Sequence, residues 1–252
     1  MATAARATLT RDGPVARLRL SSGDGANRIN AGTIEDVRAS CASLEGDTDV
    51  RVLVVSGGAS FSQGWADDAF EPSVTSVHSD PFGCLAGLAL PVIARLEGDA
   101  FSAGLELALA CDIRVASTSA RFAFPETQFG LIPMAGGTQR LPRAIGRGRA
   151  LSMILLGEVV DARIGLEWGL VNAVAEPDAL AEIVQRIADS ITARGPIAER
   201  FAKEAVQDGI EMPLARALRY ELDLTVLLQT TDDRAEGVRA FREKRAPRFK
   251  GR

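Results

Sequence analysis

The chain has 252 residues, 46% hydrophobic and 25% charged, with a formal net charge of -4 and a pI near 5.3. That balance predicts one enzyme-sized soluble unit with a substantial core, and it excludes a general attraction to nucleic acid or to an anionic membrane surface. Cys41, Cys84 and Cys111 are odd in number, widely spaced and form no C-x-x-C pair, so neither a disulfide framework nor a zinc site is supported and no metal is expected.

In chain order, the N-terminal stretch lacks the apolar region of a signal peptide, and no run approaches a membrane span; the expected compartment is the reducing cytoplasm. Alternation in Val15 to Leu20 predicts a first strand, Thr33 to Leu44 a helix, and Val50 to Ser56 a buried strand. Asp67 to Leu90, with Pro72, Pro81 and many Ser and Asp residues, reads as partly a mobile loop. Pro91 to Leu96 and Ile113 to Ala116 are further short strands, and Arg149 to Leu156 and Ala179 to Ile191 have helical patterns. In the latter Leu180, Ile183, Val184, Ile187 and Ile191 share one face. Alternating strands and helices argue for an α/β fold.

After Gly195 the pattern becomes helix alone. Pro196 suits a first helical position, Leu214 to Gln229 carries a long apolar face, and Asp233 with Glu236 suggests a cap for a final helix over Arg234 to Lys244. The expected division is residues 1-195 as the core and 196-252 as an appended helical region.

The chemistry is narrowed by what is missing. Gly146-Arg-Gly148 is not completed to G-x-G-x-x-G, there is no Gly-Lys-Ser/Thr, no G-x-S-x-G elbow, and the single histidine, His78, lies in a polar stretch. Two glutamates remain inside an otherwise apolar region from Pro91 to Leu141. Glu106 falls in the first turn of a predicted helix, Ala103 to Cys111, where unpaired backbone N–H groups and the helix dipole favour an oxygen that gains negative charge. Glu126 follows Pro125, which holds Phe124 extended and delivers the glutamate at a turn. Each has a bland reading, as a dipole-stabilising or turn residue. Together they predict two carboxylates facing one cavity, an arrangement suited to adding or removing water.

The segments Pro91-Val-Ile-Ala, Ser102-Ala-Gly-Leu-Glu-Leu-Ala-Leu-Ala-Cys-Asp-Ile-Arg, Phe-Pro-Glu126, Gly130-Leu-Ile-Pro and Ala135-Gly-Gly-Thr-Gln-Arg-Leu-Pro occur in that order. They continue through Leu156-Gly-Glu, Gly169-Leu-Val-Asn and Phe241-Arg-Glu-Lys-Arg, covering nearly the whole chain. This pattern resembles the enoyl-CoA hydratase/isomerase (crotonase) superfamily, most closely its hydratases. The resemblance implies a spiral of ββα units, a C-terminal α-helical trimerisation region, and a homotrimer or homohexamer. It implies an acyl-CoA substrate and no cofactor beyond the coenzyme A of the thioester. The oxyanion donors fall on the backbone N–H groups of Trp65 and Ala103, with Glu106 as base toward water and Glu126 as acid toward Cα. Gly64, Ala66, Asp67, Asp68, Gly104, Arg28 and Lys244 are carried over as substrate- or CoA-binding positions. Arg28 reads either as a phosphate partner or as a solvated surface charge, and the basic tail of Lys244, Arg245, Arg248 and Lys250 is open in the same way.

Three departures bear on the substrate. Trp65 stands where the family usually has Ala, Ser102 and Ala103 replace two glycines of the second oxyanion loop, and Phe124 and Met134 replace a usual Gln and Gly. These either repack a wall or change acyl specificity. The alternatives are an enoyl-CoA isomerase or other CoA-thioester enzyme of the same fold, and a non-catalytic CoA-binding protein if Trp65 closes the oxyanion hole.

Overall fold

The computed structural model describes residues 4–67 and 80–252; Asp68 and His78, both considered above, lie outside the described residues. Strands β1 (Arg6–Asp12) and β2 (Val15–Ser21) form an antiparallel hairpin in which Leu9 faces Leu18. From β2 the sheet continues in parallel through β3 (Val52–Ser56), β4 (Val92–Leu96), β6 (Ile113–Ser117) and β9 (Ala173–Ala175). A second, three-stranded sheet joins β5 (Ala100–Phe101), β7 (Arg121–Ala123) and β8 (Val160–Asp161). The hairpin partner β1 was not anticipated, because most of its residues are polar and exposed and only Ala7 is buried.

The central strands are apolar on both faces because both faces are covered. In β3, Leu53 and Val55 point into the main core, while Val52 and Val54 point to the opposite layer. There they meet Leu180, Val184 and Ala188 of a long helix, Pro177–Thr192. In the main core α1 (Ala31–Leu44) contributes Val37, Cys41 and Leu44. Asn30 starts α1, its side chain accepting from the Thr33 N–H at 2.9 Å.

The remaining helices in chain order are α2 (Gly83–Ala86), α3 (Ala103–Leu109), α4 (Gly137–Ile145), α5 (Arg147–Leu156) and α6 (Ala162–Trp168). Then come α7, the long helix already placed, α8 (Pro196–Gly209), α9 (Leu214–Gln229) and α10 (Asp232–Glu243). The segment after Gly195 is helical, as expected. It is tied to the core by Lys203, whose Nζ donates to Asp112 at 2.7 Å and to the Leu90 carbonyl at 3.0 Å, and by the Arg51–Glu199 pair at 3.3 Å.

The final helix is capped differently from the expectation. Thr231, not Asp233, accepts from the Arg234 N–H, at 3.1 Å. Asp233 and Glu236 are buried and hold the C-terminal tail instead: Asp233 accepts from the N–H groups of Lys250 and Gly251 at 2.6 and 2.8 Å, and Glu236 from that of Arg248 at 2.9 Å. The sequence spacing located a carboxylate that takes backbone donors, but the donors belong to a distant segment. Among the described residues no helix is long and apolar enough to cross a membrane, and all three cysteines are free.

Candidate active site

Two loops leave the ends of adjacent parallel strands, residues 57–67 after β3 and 97–102 after β4, where α/β sheets commonly bind ligands. They are zipped together: the Phe61 and Ser62 N–H groups donate to the Asp99 carbonyl at 3.1 and 3.0 Å, and the Phe101 N–H donates to the Ser62 carbonyl at 3.0 Å. Gly64 has φ +109°, and a methyl group there would meet the Ser102 Cβ at 3.0 Å. Gly104 is tighter still, since its added Cβ would lie 2.6 Å from the Ser62 Cβ and 2.7 Å from the Ser62 carbonyl oxygen. These glycines bring Trp65 and Ala103, the expected oxyanion donors, onto neighbouring loops. Neither backbone N–H is engaged with a described residue: Ile29 pairs with the flanking Gly64 carbonyl and Ala66 N–H, and Ala103 opens α3.

Ser102, which replaces a glycine of the family pattern, is strained, with φ 50° and ψ -123°. A side chain held in that region costs of the order of 1–3 kcal/mol. Ser102→Gly is therefore expected to stabilise the fold by about 1 kcal/mol, which for a chain of this size raises Tm by roughly 2–4 °C in a thermal melt.

Glu106 sits in the first turn of α3, as expected, and is fully buried. Its Oε1 accepts from the N–H groups of Ala135 at 2.6 Å and Gly137 at 2.9 Å, at the start of α4. The other oxygen, Oε2, is buried with no partner among the described residues. One oxygen is thus fixed and the other is free to act on a reactant. Burial pushes the Glu106 carboxyl up to about 7; the two backbone donors oppose that shift, the Glu126 charge adds to it, and the Arg140 charge opposes it. Arg140 is itself held by both oxygens of Asp80 and donates to the Ala135 carbonyl at 3.2 Å, which braces the loop that grips Glu106.

Glu126 starts a 3-10 turn, Glu126–Phe129, behind Pro125, and is 4% exposed. Neither carboxylate oxygen has a hydrogen-bond partner among the described residues. Burial raises its pKa from the ordinary glutamate value, making it a weaker acid; the nearby Ser102 hydroxyl opposes this without reaching hydrogen-bond geometry. Phe124 is fully buried, and both its ring edge and Glu106 Oε1 lie 2.9 Å from where a Gly137 Cβ would stand. It therefore backs the glutamate rather than filling an open pocket. Trp65 is half-buried and stacks on Phe82, ring centroids 6.5 Å apart, and Met134 is half-buried.

The raised Glu106 pKa makes stability depend on pH. The folded state binds this proton more tightly than the unfolded chain, so between the ordinary value of 4.5 and about 7 stability falls as pH rises. Glu106→Gln removes that slope. The variant's Tm is expected to match the unmutated protein's below this window and to exceed it above, as read from melts across pH.

A family model described as enoyl-CoA hydratase/isomerase matches residues 10–252. The chain belongs to the enoyl-CoA hydratase/isomerase family. Relatives include a crotonyl-CoA hydratase of Syntrophomonas wolfei, 34% identical over 251 residues with 96% of each chain covered. The 2,3-dehydroadipyl-CoA hydratase of Escherichia coli is 35% identical over 250 residues, covering 97% of this chain and 98% of the relative. Among solved structures, an enoyl-CoA hydratase of Bacillus anthracis superposes with a TM-score of 0.93 at 34% identity, over 98% of this chain and 100% of that one. The α/β fold is thus that of the crotonase family.

The family's other candidate positions divide. Gly64, Ala66 and Gly104 lie in or beside the two zipped loops, with the Ala66 N–H donating to the Ile29 carbonyl at 2.8 Å, and Asp67 is exposed. Arg28 is exposed and pairs with Asp24 at 3.3 Å. Lys244 is an exposed left-handed cap of α10 and has no hydrogen bond or ion pair to the other candidates among the described residues. Sequence reading placed Asn27 only in the loop with Arg28 and Ile29 that the resemblance links to CoA; it is a buried residue at φ 50° whose Nδ2 donates to the carbonyls of Gly57 and Ser60 at 2.7 and 2.8 Å. Asn27 thus clamps the 57–67 loop from behind. Sequence reading passed over Ala135 and Gly137, whose role is carried by backbone and leaves no signature beyond the adjacent glycines.

Proposed function

We propose that this protein is an enoyl-CoA hydratase that adds water across the 2,3 double bond of a 2-enoyl-CoA thioester, and reverses that addition, through two glutamates and a backbone oxyanion hole. The observation that carries the reading is the pair of buried carboxylates, Glu106 and Glu126, three of whose oxygens have no hydrogen-bond partner among the described residues, together with the Trp65 and Ala103 backbone N–H groups, likewise unengaged with any described residue. In this mechanism the Trp65 and Ala103 N–H groups polarise the thioester carbonyl, and ionised Glu106 takes a proton from water through Oε2 as the oxygen bonds to Cβ. Negative charge passes to the thioester oxygen, and protonated Glu126 delivers its proton to Cα. Proton exchange then resets the two carboxyls. A base with a midpoint near 7 suits this task at neutral pH.

The reaction needs no cofactor beyond the CoA portion of the substrate. CoA is assigned to Arg28, Gly64, Ala66, Asp67 and Gly104, with Lys244 reaching phosphate only from a neighbouring subunit. Assembly as a homotrimer or homohexamer is supported by the apolar stripe Leu214, Leu218, Leu222 and Val226 along α9, each more than half exposed in the single chain. In this reading residues 196-252 form the oligomerisation region, 1-195 hold the site, and the enzyme works in the cytoplasm.

An isomerase needs only one base to shuttle a proton, and the second buried carboxylate favours hydration. The deciding experiment incubates the protein with crotonyl-CoA and follows loss of the conjugated thioester absorbance together with formation of β-hydroxybutyryl-CoA. A panel of longer, branched and aromatic enoyl-CoAs ranks substrates. Double-bond migration without hydroxyacyl product would establish the isomerase instead, and binding without turnover across the panel would establish a CoA-binding protein.

A further inference from the structure

Four buried side-chain atoms lack a hydrogen-bond partner among the described residues: Glu106 Oε2, both carboxylate oxygens of Glu126, and Trp65 Nε1. Three are the atoms assigned to the reacting water and to Cα. The fourth is an indole N–H on the residue whose backbone N–H faces the thioester oxygen. A buried donor left without an acceptor costs about 1–3 kcal/mol, and buried Trp N–H groups normally find one. Packing alone does not account for the indole, because a phenyl ring would keep the stack on Phe82, whose plane lies within 14° of that of Trp65.

The root of the side chain is fixed. Trp65 lies between the Gly64 carbonyl and the Ala66 N–H, both bonded to Ile29 at 2.8 Å, and Gly64 abuts Ser102 of the second oxyanion loop. The indole N–H therefore lies within one side chain's length of the Trp65 backbone N–H, the donor that the proposed mechanism assigns to the thioester oxygen, and so within reach of an acyl chain bound there. An indole N–H donates and cannot accept, so its complement is an oxygen acceptor.

We propose that the Trp65 indole N–H is a substrate-contacting donor that selects 2-enoyl-CoA thioesters bearing an oxygen acceptor on the acyl chain close to the reacting double bond. This rests on the reading of the site as the acyl-thioester site. It makes Trp65 a specificity determinant through its side chain as well as an oxyanion donor through its backbone.

Trp65→Phe deletes the donor while retaining an aromatic ring and the backbone N–H. The test compares kcat/KM for γ-methoxycrotonyl-CoA and for its all-carbon isostere, hexenoyl-CoA, in both proteins. The unmutated enzyme is expected to favour the methoxy substrate by about tenfold, the worth of one neutral hydrogen bond, and the variant to lose that preference. A preference ratio left unchanged by the substitution overturns the proposal.

A second readout does not need turnover. The chain has two tryptophans, so in isotope-labelled protein the Trp65 indole resonance is the one missing from the variant. Saturated γ-methoxybutyryl-CoA is expected to move it downfield, and hexanoyl-CoA is not. Equal shifts with both ligands, or none with either, overturn the proposal. If both enoyl thioesters fail to turn over but the methoxy ligand alone moves the resonance, the hydratase reading fails and the Trp65 assignment stands.

Discussion

Glu106→Gln is expected to lower the hydration rate by about 10²–10⁴, the range of a positioned general base, with little change in KM. The substitution retains an oxygen to accept from Ala135 and Gly137, so the α4 loop keeps its grip while the free oxygen loses its basicity. Glu126→Gln is expected to cost a similar factor, because it removes the proton delivered to Cα. The two losses should not multiply, since both groups serve one transition state. The measurement is kcat and kcat/KM on the best enoyl-CoA for each single variant and the double. Either variant retaining full hydration would remove that glutamate from the mechanism. The pH profile supplies a further check: with ionised Glu106 as base, hydration should rise with pH through about 7, and Glu106→Gln should abolish that limb.

Gly104→Ala is expected to be the most damaging change outside the glutamates. The added methyl group would lie 2.6 and 2.7 Å from the Cβ and the carbonyl oxygen of Ser62, and backbone cannot swing aside as a long side chain can. The start of α3 must shift, moving the Ala103 N–H away from the thioester oxygen and disturbing Glu106 in the same first turn. Misplacing one oxyanion donor costs about 10²–10³ in kcat. Gly148→Ala is the matched control, since a methyl group there meets nothing within 4 Å. Comparing kcat and Tm for the two variants separates site damage from a general loss of stability. A Gly104→Ala enzyme with unchanged kcat would show that this loop does not hold the oxyanion.

Much of this was legible because it depends on local pattern. The parallel strands announce themselves as Val- and Ile-rich runs since both faces are buried, and α7 is visible because Leu180, Ile183, Val184, Ile187 and Ile191 share one face. Glu106 and Glu126 stood out as charges in an apolar region. What escaped the sequence shares a physical cause. Strand β1 is an edge with little burial, so its pattern is weak. Asp233 looks like a cap by its spacing to Glu236, yet binds a tail some 17 residues away.

The sequence by itself determined the family and the α/β core followed by helices, and it singled out two carboxylates in an apolar region, because motif order and hydrophobic periodicity are properties of the chain. Only the tertiary structure decided how those carboxylates behave. The Glu106 acidity constant depends on burial and on donors from residues 135 and 137, and the strain at Ser102 on two loops meeting at Gly64. The Trp65 indole N–H, without a partner among the described residues, is buried only because the core packs against it. Burial, backbone donors and orphaned polar atoms arise from the packing of segments distant in sequence, and no local pattern encodes them.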